Sequence, residues 1–470
     1  MTNEIKNIDN FFRAVAENSA GELSVYFIGI GGIGMSALAR YFKNKGVNVS
    51  GYDKTPTALT EQLEKEGIRI HFEDDITLAD KNAALVIYTP AIPKENLVYQ
   101  YYENNQYSIF KRSEVLGKIT ENAFNVCVAG THGKTTTSTM VAHILRETGY
   151  GCTAFLGGIA SNYGTNFWSS ENNVVVVEAD EYDRSFLKLN PDVAIITAMD
   201  PDHLDIYGNE EAFLSAFVTF STKLKEDGLL ITKEGLKRSA DFIGKNKVTY
   251  SRDSSTAHSF ANNISVSNGA YQFDVHINNE IMRGFTLNMG GLHNIENSIA
   301  AITVAYYLKI DEEKIKSSIA SFKGVKRRFE YIIKTDSTVM IDDYAHHPQE
   351  LETLIISAKK FYPNKKCLLV FQPHLFTRTR DFAEGFSKAL GLADEIILLP
   401  IYPAREKPIE GITSEMLAEM MINKNVVCAT KNELLDFILQ KEDVELIIMA
   451  GAGDIDTLIV PIKEILINKN

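Results

Sequence analysis

Short runs of β-branched and aromatic residues alternate with helix-length stretches along most of the chain. Val25-Tyr26-Phe27-Ile28, Val47-Asn48-Val49-Ser50 and Ala84-Leu85-Val86-Ile87-Tyr88 are such runs, and strands separated by helical patterns predict a doubly wound parallel sheet. A second set begins at Val126 and continues through Val174-Val175-Val176-Val177 and Val193-Ala194-Ile195-Ile196. These runs lack a polar face, as strands covered on both sides require. Between about 247 and 290 the period falls to two: Ile264 and Val266, the turn pair Asn268-Gly269, then Tyr271, Phe273, Val275 and Ile277. That spacing predicts an antiparallel meander attached to the second core. After Lys323 to Phe329 the alternation resumes with Val339-Met340-Ile341, Leu368-Leu369-Val370-Phe371, Ile396-Ile397-Leu398-Leu399, Val426-Val427 and Leu446-Ile447-Ile448-Met449. The pattern predicts an α/β protein of three domains, 1–122, 123–324 and 325–470, with no repeat at a solenoid period.

The length of 470 residues agrees with about three cores. Forty-eight basic against 61 acidic side chains leave a net charge of −13, which argues against nucleic acid as the main partner. Cys127, Cys152, Cys367 and Cys428 stand far apart without a C-x-x-C pair and are expected to be free thiols. Met1 to Lys6 show no apolar leader pattern, and no stretch reaches the apolar length of a membrane span, so the expectation is a cytoplasmic protein without a membrane partner.

Two glycine turns carry the first chemistry. Val126-Cys127-Val128-Ala129 runs into Gly130-Thr131-His132-Gly133-Lys134-Thr135-Thr136, where backbone N–H groups, an ammonium and a hydroxyl converge as a triphosphate with Mg²⁺ needs. Val128 stands where the usual phosphate loop has its first glycine, so this is a shortened cradle that uses Gly130. Lys134 is expected to neutralise β- and γ-phosphate charge and Thr135 to ligate Mg²⁺. Upstream, Gly29-Ile30-Gly31-Gly32-Ile33-Gly34 follows a strand, and Asp53 lies 19 residues beyond Gly34, where a carboxylate can accept from ribose hydroxyls. The alternative is a tight turn with no ligand, and the glycines do not separate NAD from another nucleotide diphosphate. An NAD-dependent oxidoreductase is therefore open at this point, although it leaves Lys134, Glu178 and His203 without a task.

Glu178 ends the four-valine strand in Glu178-Ala179-Asp180-Glu181, and His203 follows the next strand in Asp202-His203-Leu204-Asp205. Both are expected at neighbouring strand ends as metal ligands, against the plainer readings of a solvated cap and a structural histidine. Asn294 and Asn297, one helical turn apart, present two amides that can read an adenine edge or ribose; a plain N-cap is the alternative for Asn294. At the junction of domains two and three, Arg327-Arg328 puts a guanidinium in reach of a γ-phosphate or forms an exposed basic linker. Asp342-Asp343-Tyr344-Ala345-His346-His347-Pro348 and Gln372-Pro373-His374-Leu375-Phe376-Thr377-Arg378-Thr379-Arg380 follow successive strands. On adjacent strand ends they would form an anion- and carboxylate-recognising wall, whereas the spacing of His346-His347 does not suit zinc.

In this order, the two glycine turns, Glu178 to Glu181, Asp202 to Asp205, His293 to Asn297, Arg327-Arg328-Phe329, Asp342 to Pro348 and Thr377 to Arg380 resemble the Mur ligase family over nearly the whole chain. The resemblance implies a Rossmann-like domain for a UDP-sugar, a central P-loop-type ATPase domain with a parallel sheet and a small antiparallel meander, and a C-terminal Rossmann-like domain for an amino acid. It implies an enzyme of peptidoglycan precursor synthesis, a monomer or homodimer, that uses ATP and Mg²⁺ to form an amide on the lactyl carboxylate of UDP-N-acetylmuramate through an acyl phosphate. L-alanine is the implied acceptor, a tripeptide the alternative within the family. By resemblance Lys134, Glu178, His203 and Arg328 are catalytic, and Thr135, Glu178 and His203 hold Mg²⁺. ATP would meet Gly130 to Thr136, Asn294, Asn297 and Asp343; the UDP-sugar Gly29, Gly31, Gly32, Gly34 and Asp53; the amino acid Tyr344, His346 and Arg378. Leu375-Phe376 departs from the Arg-Tyr of many relatives at the amino-acid contact.

Overall fold

The structure, a computed structural model, describes residues 7–17, 20–267, 269–404, 406–422 and 425–469, with the side chains of all of these except Ala20 and Asp205. The hexapeptide Met1 to Lys6, Asn268 of the turn pair, and the Asp205 side chain lie outside the described residues.

Three sheets form where the β-branched runs predict them. The first has five parallel strands in the order Arg69–His71, Asn48–Tyr52, Ser24–Ile28, Leu85–Tyr88 and Ile109–Lys111. Strand order reverses at Ser24–Ile28, so a crevice opens at its carboxyl end, where Gly29 leads into the helix Ile33–Asn44.

The second sheet is one continuous surface of ten strands rather than a parallel core with a separate appendage. From Val193–Ile196 through Leu229–Lys233 and Asn246–Ser251 it runs parallel into Ser259–Ser267, and only then turns antiparallel through Ala270–Ile277 and Glu280–Leu287. Tyr271, Phe273, Val275 and Ile277 are buried on one face, as period two requires. The opposite edge is a hairpin, Thr153–Ala160 with Thr165–Trp168, which the hydrophobic pattern did not reveal because its glycines interrupt the run.

In this sheet Phe124–Ala129 lies between Val174–Glu178 and Val193–Ile196. The expectation that Glu178 and His203 occupy neighbouring strand ends is thereby corrected: the cradle strand separates them. The third sheet, in the order Glu330–Lys334, Val339–Asp343, Leu446–Ala450, Cys367–Phe371, Glu395–Leu398 and Val426–Cys428, corrects a second adjacency. The last strand in chain order, Leu446–Ala450, inserts between the two that precede the polar clusters. Sequential order says nothing about such an insertion.

The cores join through specific contacts. The hairpin strand Thr165–Trp168 sends the buried Asn166 amide to Ile33 O at 2.6 Å and Ser36 Oγ at 3.0 Å, and its carbonyl accepts from Arg40. Phe155 and Phe167 pack on Tyr41 of the same helix. On the other side, Phe329 packs on Gly290, where any side chain would run into its ring, and Tyr271 meets Phe361 edge to face at 4.6 Å. Three of the four cysteines are buried, and all four are free thiols.

Candidate active site

The cradle is built by a strand that stops and a helix that starts. Gly130 has φ +133° and Gly133 φ +81°, both in the left-handed half of the map, and an added Cβ at Gly133 would lie 2.7 Å from Asn297 Oδ1. Gly133 then caps the helix Lys134–Glu147 without a side chain over its first N–H groups, which leaves those donors for an anion. The segment after Val193–Ile196 braces the loop. Thr197 donates to His132 O at 2.5 Å, Thr131 N–H donates to Ala198 O, and Asp200 N–H donates to Thr131 Oγ1.

Lys134 is folded back over this loop. Its ammonium donates to Gly130 O at 2.6 Å and pairs with Glu181 at 2.8–2.9 Å. Glu181 is 1% exposed, and burial raises its pKa while Lys134 opposes the shift. Sequence reasoning quoted Glu181 but assigned it nothing; its distance of three residues from Glu178 was the available signal.

Glu178 accepts from Gly157 N–H at 3.1 Å and is hydrogen-bonded to Thr135. Burial pushes its pKa up, and Lys134, the Thr135 bond and Arg328 pull it down. Thr135 and Glu178 thus present a hydroxyl and a carboxylate together, hard oxygen donors of the kind Mg²⁺ takes alongside phosphate and water. His203 is set apart, with φ +51°, its ring edge-on to Tyr182 at 5.1 Å and Nε2 3.6 Å from Asp202. Among the described residues no three His, Cys, Asp or Glu side chains form a metal-holding group.

The asparagines do not precede their helix. Leu292–Tyr307 is helical with Gly291 at its cap, so the N-cap alternative for Asn294 fails. Asn294 donates to Gly290 O at 2.5 Å and accepts from Asn297 at 3.0 Å, and both amides are buried behind Gly133. His293, present in the same motif but given no role by the sequence, stands just before Asn294 at an exposed position, and partial desolvation, with Arg252, Arg328 and His132 acting in the same direction, lowers its pKa.

Arg327 and Arg328 divide. Arg327 turns into the third domain, donating to Gly451 O, lying 3.6 Å from Asp342 and stacking over Tyr344 at 5.0 Å. The charge of Arg328 acts instead on Glu178, His293 and Asp343. The exposed-linker alternative therefore fails for Arg327, whereas Arg328 stays exposed at the junction. Asp343 accepts from Phe329 N–H and Ala345 N–H, each at 2.7 Å, and burial raises its pKa to about 6. Both of its oxygens brace the junction.

The third-domain residues meet despite the inserted strand. His346 lies edge-on to Tyr344 at 5.3 Å and to His374 at 6.2 Å; His374 stacks on Tyr402 and contacts Arg378 at 3.4 Å. Burial lowers the pKa of both imidazoles, and Arg378 reinforces the shift. Leu375 holds φ +70°, a strained value for a branched residue.

In the first domain, Asp53 is committed to the turn: its Oδ2 accepts from Gly31 N–H at 2.7 Å. Gly32 and Gly34 line a cavity of about 240 Å³ whose far wall is Gly157, Glu178 and Asp180 of the second domain. Arg112 also lines it. No motif marked Arg112, a lone arginine after a short strand.

The chain matches family models described as "Mur ligase family, catalytic domain" over residues 24–123, "Mur ligase middle domain" over 128–305 and "Mur ligase, glutamate ligase domain" over 327–453. It is 49% identical over 445 residues to a UDP-N-acetylmuramate--L-alanine ligase of Flavobacterium psychrophilum, covering 94% of this chain and 97% of the relative. A protein of the same name from Flavobacterium johnsoniae is 48% identical over 452 residues, covering 95% and 98%. Among solved structures, the UDP-N-acetylmuramate-alanine ligase of Thermotoga maritima superposes with a TM-score of 0.82 at 28% identity, covering 95% of this chain and all of that one. A murein peptide ligase of Psychrobacter arcticus shares the fold, with a TM-score of 0.66 at 22% identity over 94% of this chain and 99% of that one.

Proposed function

This chain belongs to the Mur ligase family, and from that premise we propose that it joins L-alanine to the lactyl carboxylate of UDP-N-acetylmuramate with cleavage of ATP to ADP and phosphate. The observation that carries the reading is the shared cavity: the glycine turn of the first domain and Glu178 of the second face each other across about 240 Å³, with Lys134 and Thr135 behind Glu178. A carboxylate delivered from one side can there meet a γ-phosphate delivered from the other.

The domains are 1–122 for the nucleotide sugar, 123–324 for ATP and 325–470 for the amino acid. In the first step a carboxylate oxygen bonds to the γ-phosphorus as the bond to ADP breaks; in the second, the alanine nitrogen bonds to the acyl carbon, loses a proton and expels phosphate. Both reactants of the first step are anions, so the protein's task is charge neutralisation and alignment. Lys134 exchanges Glu181 for phosphate oxygens, and Arg328 approaches from the domain junction. Thr135 and Glu178 would hold Mg²⁺ and His203 a second ion, whose chemistry is to screen phosphate charge. Asn297 sets the floor of the cradle beneath Gly133. Arg378 takes the alanine carboxylate, with Tyr344 and His346 beside it.

Purified protein should release phosphate only when UDP-N-acetylmuramate and L-alanine are both present with ATP. Release with L-alanyl-γ-D-glutamyl-diaminopimelate but none with L-alanine would replace this reading with the tripeptide ligase.

A further inference from the structure

Resting on that reading, we propose that Arg112 grips the diphosphate of the nucleotide sugar and sets the affinity for it. Arg112 opens the helix Arg112–Thr120, directly after the edge strand Ile109–Lys111. Its guanidinium lies against the glycine turn: a Cβ at Gly34 would come within 3.0 Å of Arg112 Cδ and 3.1 Å of Nη1. The side chain is 20% exposed and faces the interdomain cavity. Its charge partner is Asp180 of the second domain, at 3.7 Å, longer than the 2.7–2.9 Å or so of a committed charge-assisted hydrogen bond. A desolvated guanidinium left this loosely paired keeps donors for an anion.

The adjoining glycine turn supplies the complementary half. The helix Ile33–Asn44 begins at Gly32 with no side-chain cap, so its first N–H groups and dipole also point at the cavity. A diphosphate spread between them can take backbone donors on one side and the fork of Arg112 on the other, a division that suits two adjacent phosphates better than one carboxylate. Next along the chain, Lys111 pairs with Asp183 at 3.3 Å. That contact ties the domains without entering the cavity, which leaves Arg112 free to exchange Asp180 for substrate.

The test is steady-state kinetics of Arg112→Ala and Arg112→Gln, with direct binding of UDP-N-acetylglucosamine, which carries the diphosphate but no lactyl carboxylate. Losing a charge-assisted contact should raise KM for UDP-N-acetylmuramate roughly ten- to a hundredfold and weaken UDP-N-acetylglucosamine by a similar factor. KM values for ATP and L-alanine should stay within about twofold. Unchanged KM for the nucleotide sugar overturns the proposal. A loss confined to UDP-N-acetylmuramate overturns it in favour of a contact to the carboxylate. A common rise in all three KM values with a lower Tm overturns it in favour of an interdomain tie. If the unmodified enzyme releases no phosphate with UDP-N-acetylmuramate and L-alanine, it is the functional reading that fails, and UDP-N-acetylglucosamine binding still tests Arg112.

Discussion

Lys134 shows how a side chain with an obvious task can be held in reserve by a neighbour. Its contacts with Gly130 O and Glu181 keep a partly buried ammonium paired until a triphosphate offers stronger partners. Lys134→Ala should lower kcat by roughly a hundred- to a thousandfold in a phosphate-release assay and also lower Tm, because the buried Glu181 loses its partner; near-normal turnover would remove the cradle from the mechanism. A second residue-scale prediction concerns Asp342 and Asp343, whose pKa values burial pushes up from 3.8 to about 7 and about 6. The native state holds these protons more tightly than the unfolded chain, so stability falls as pH rises from about 4 to 7. Asp342→Asn should keep only the Asp343 share of that loss. Its Tm, followed from pH 5 to pH 8, should decline less steeply than that of the parent, and parallel curves would refute the assignment. The sequence marked Asp343 as polar chemistry at a strand end, but its hydrogen-bond partners, Phe329 N–H and Ala345 N–H, are fixed only by the path of the junction.

At the scale of elements, the hairpin Thr153–Trp168 does most to relate substrate turn to catalytic strand. One of its faces supplies Gly157, where any side chain would run into the Glu178 carboxylate, and its partner strand supplies Asn166, which holds the first turn of the helix Ile33–Asn44. Asn166→Ala leaves Ile33 O, Ser36 Oγ and the Arg40 guanidinium short of a buried partner, at a cost of about 2–3 kcal/mol. The expected signature is a KM for UDP-N-acetylmuramate that rises several-fold more than KM for ATP. Equal changes in both would show that the hairpin stabilises the fold without orienting the turn. Periodicity revealed the meander because Tyr271 to Ile277 alternate cleanly, yet it hid this hairpin, whose Gly157-Gly158 pair breaks the apolar run and whose purpose is contact with another domain.

Across the whole molecule, the second and third cores are clamped by aromatic contacts, with Phe361 between Tyr271 at 4.6 Å and Phe329 at 6.1 Å. Phe361→Ala removes a buried ring worth about 3–5 kcal/mol, part of it from the clamp. Hydrogen exchange should accelerate in 269–273 and 323–330 while the first sheet is unaffected; uniform acceleration would mean loss of the fold rather than of docking. The sequence by itself determined the three α/β cores, both glycine turns and the identity of Lys134, Thr135, Glu178 and Arg378 as candidates, because strand burial and phosphate geometry leave local patterns of apolar spacing and glycine. Only tertiary structure decided that the cradle strand separates Glu178 from His203, that Leu446–Ala450 enters the middle of the third sheet, and that Arg327 and Arg328 part company. It alone brought Glu181 to Lys134 and Arg112 to the glycine turn. Strand order and contacts between domains depend on packing among residues far apart in the chain, and a local pattern does not encode which distant partner will arrive.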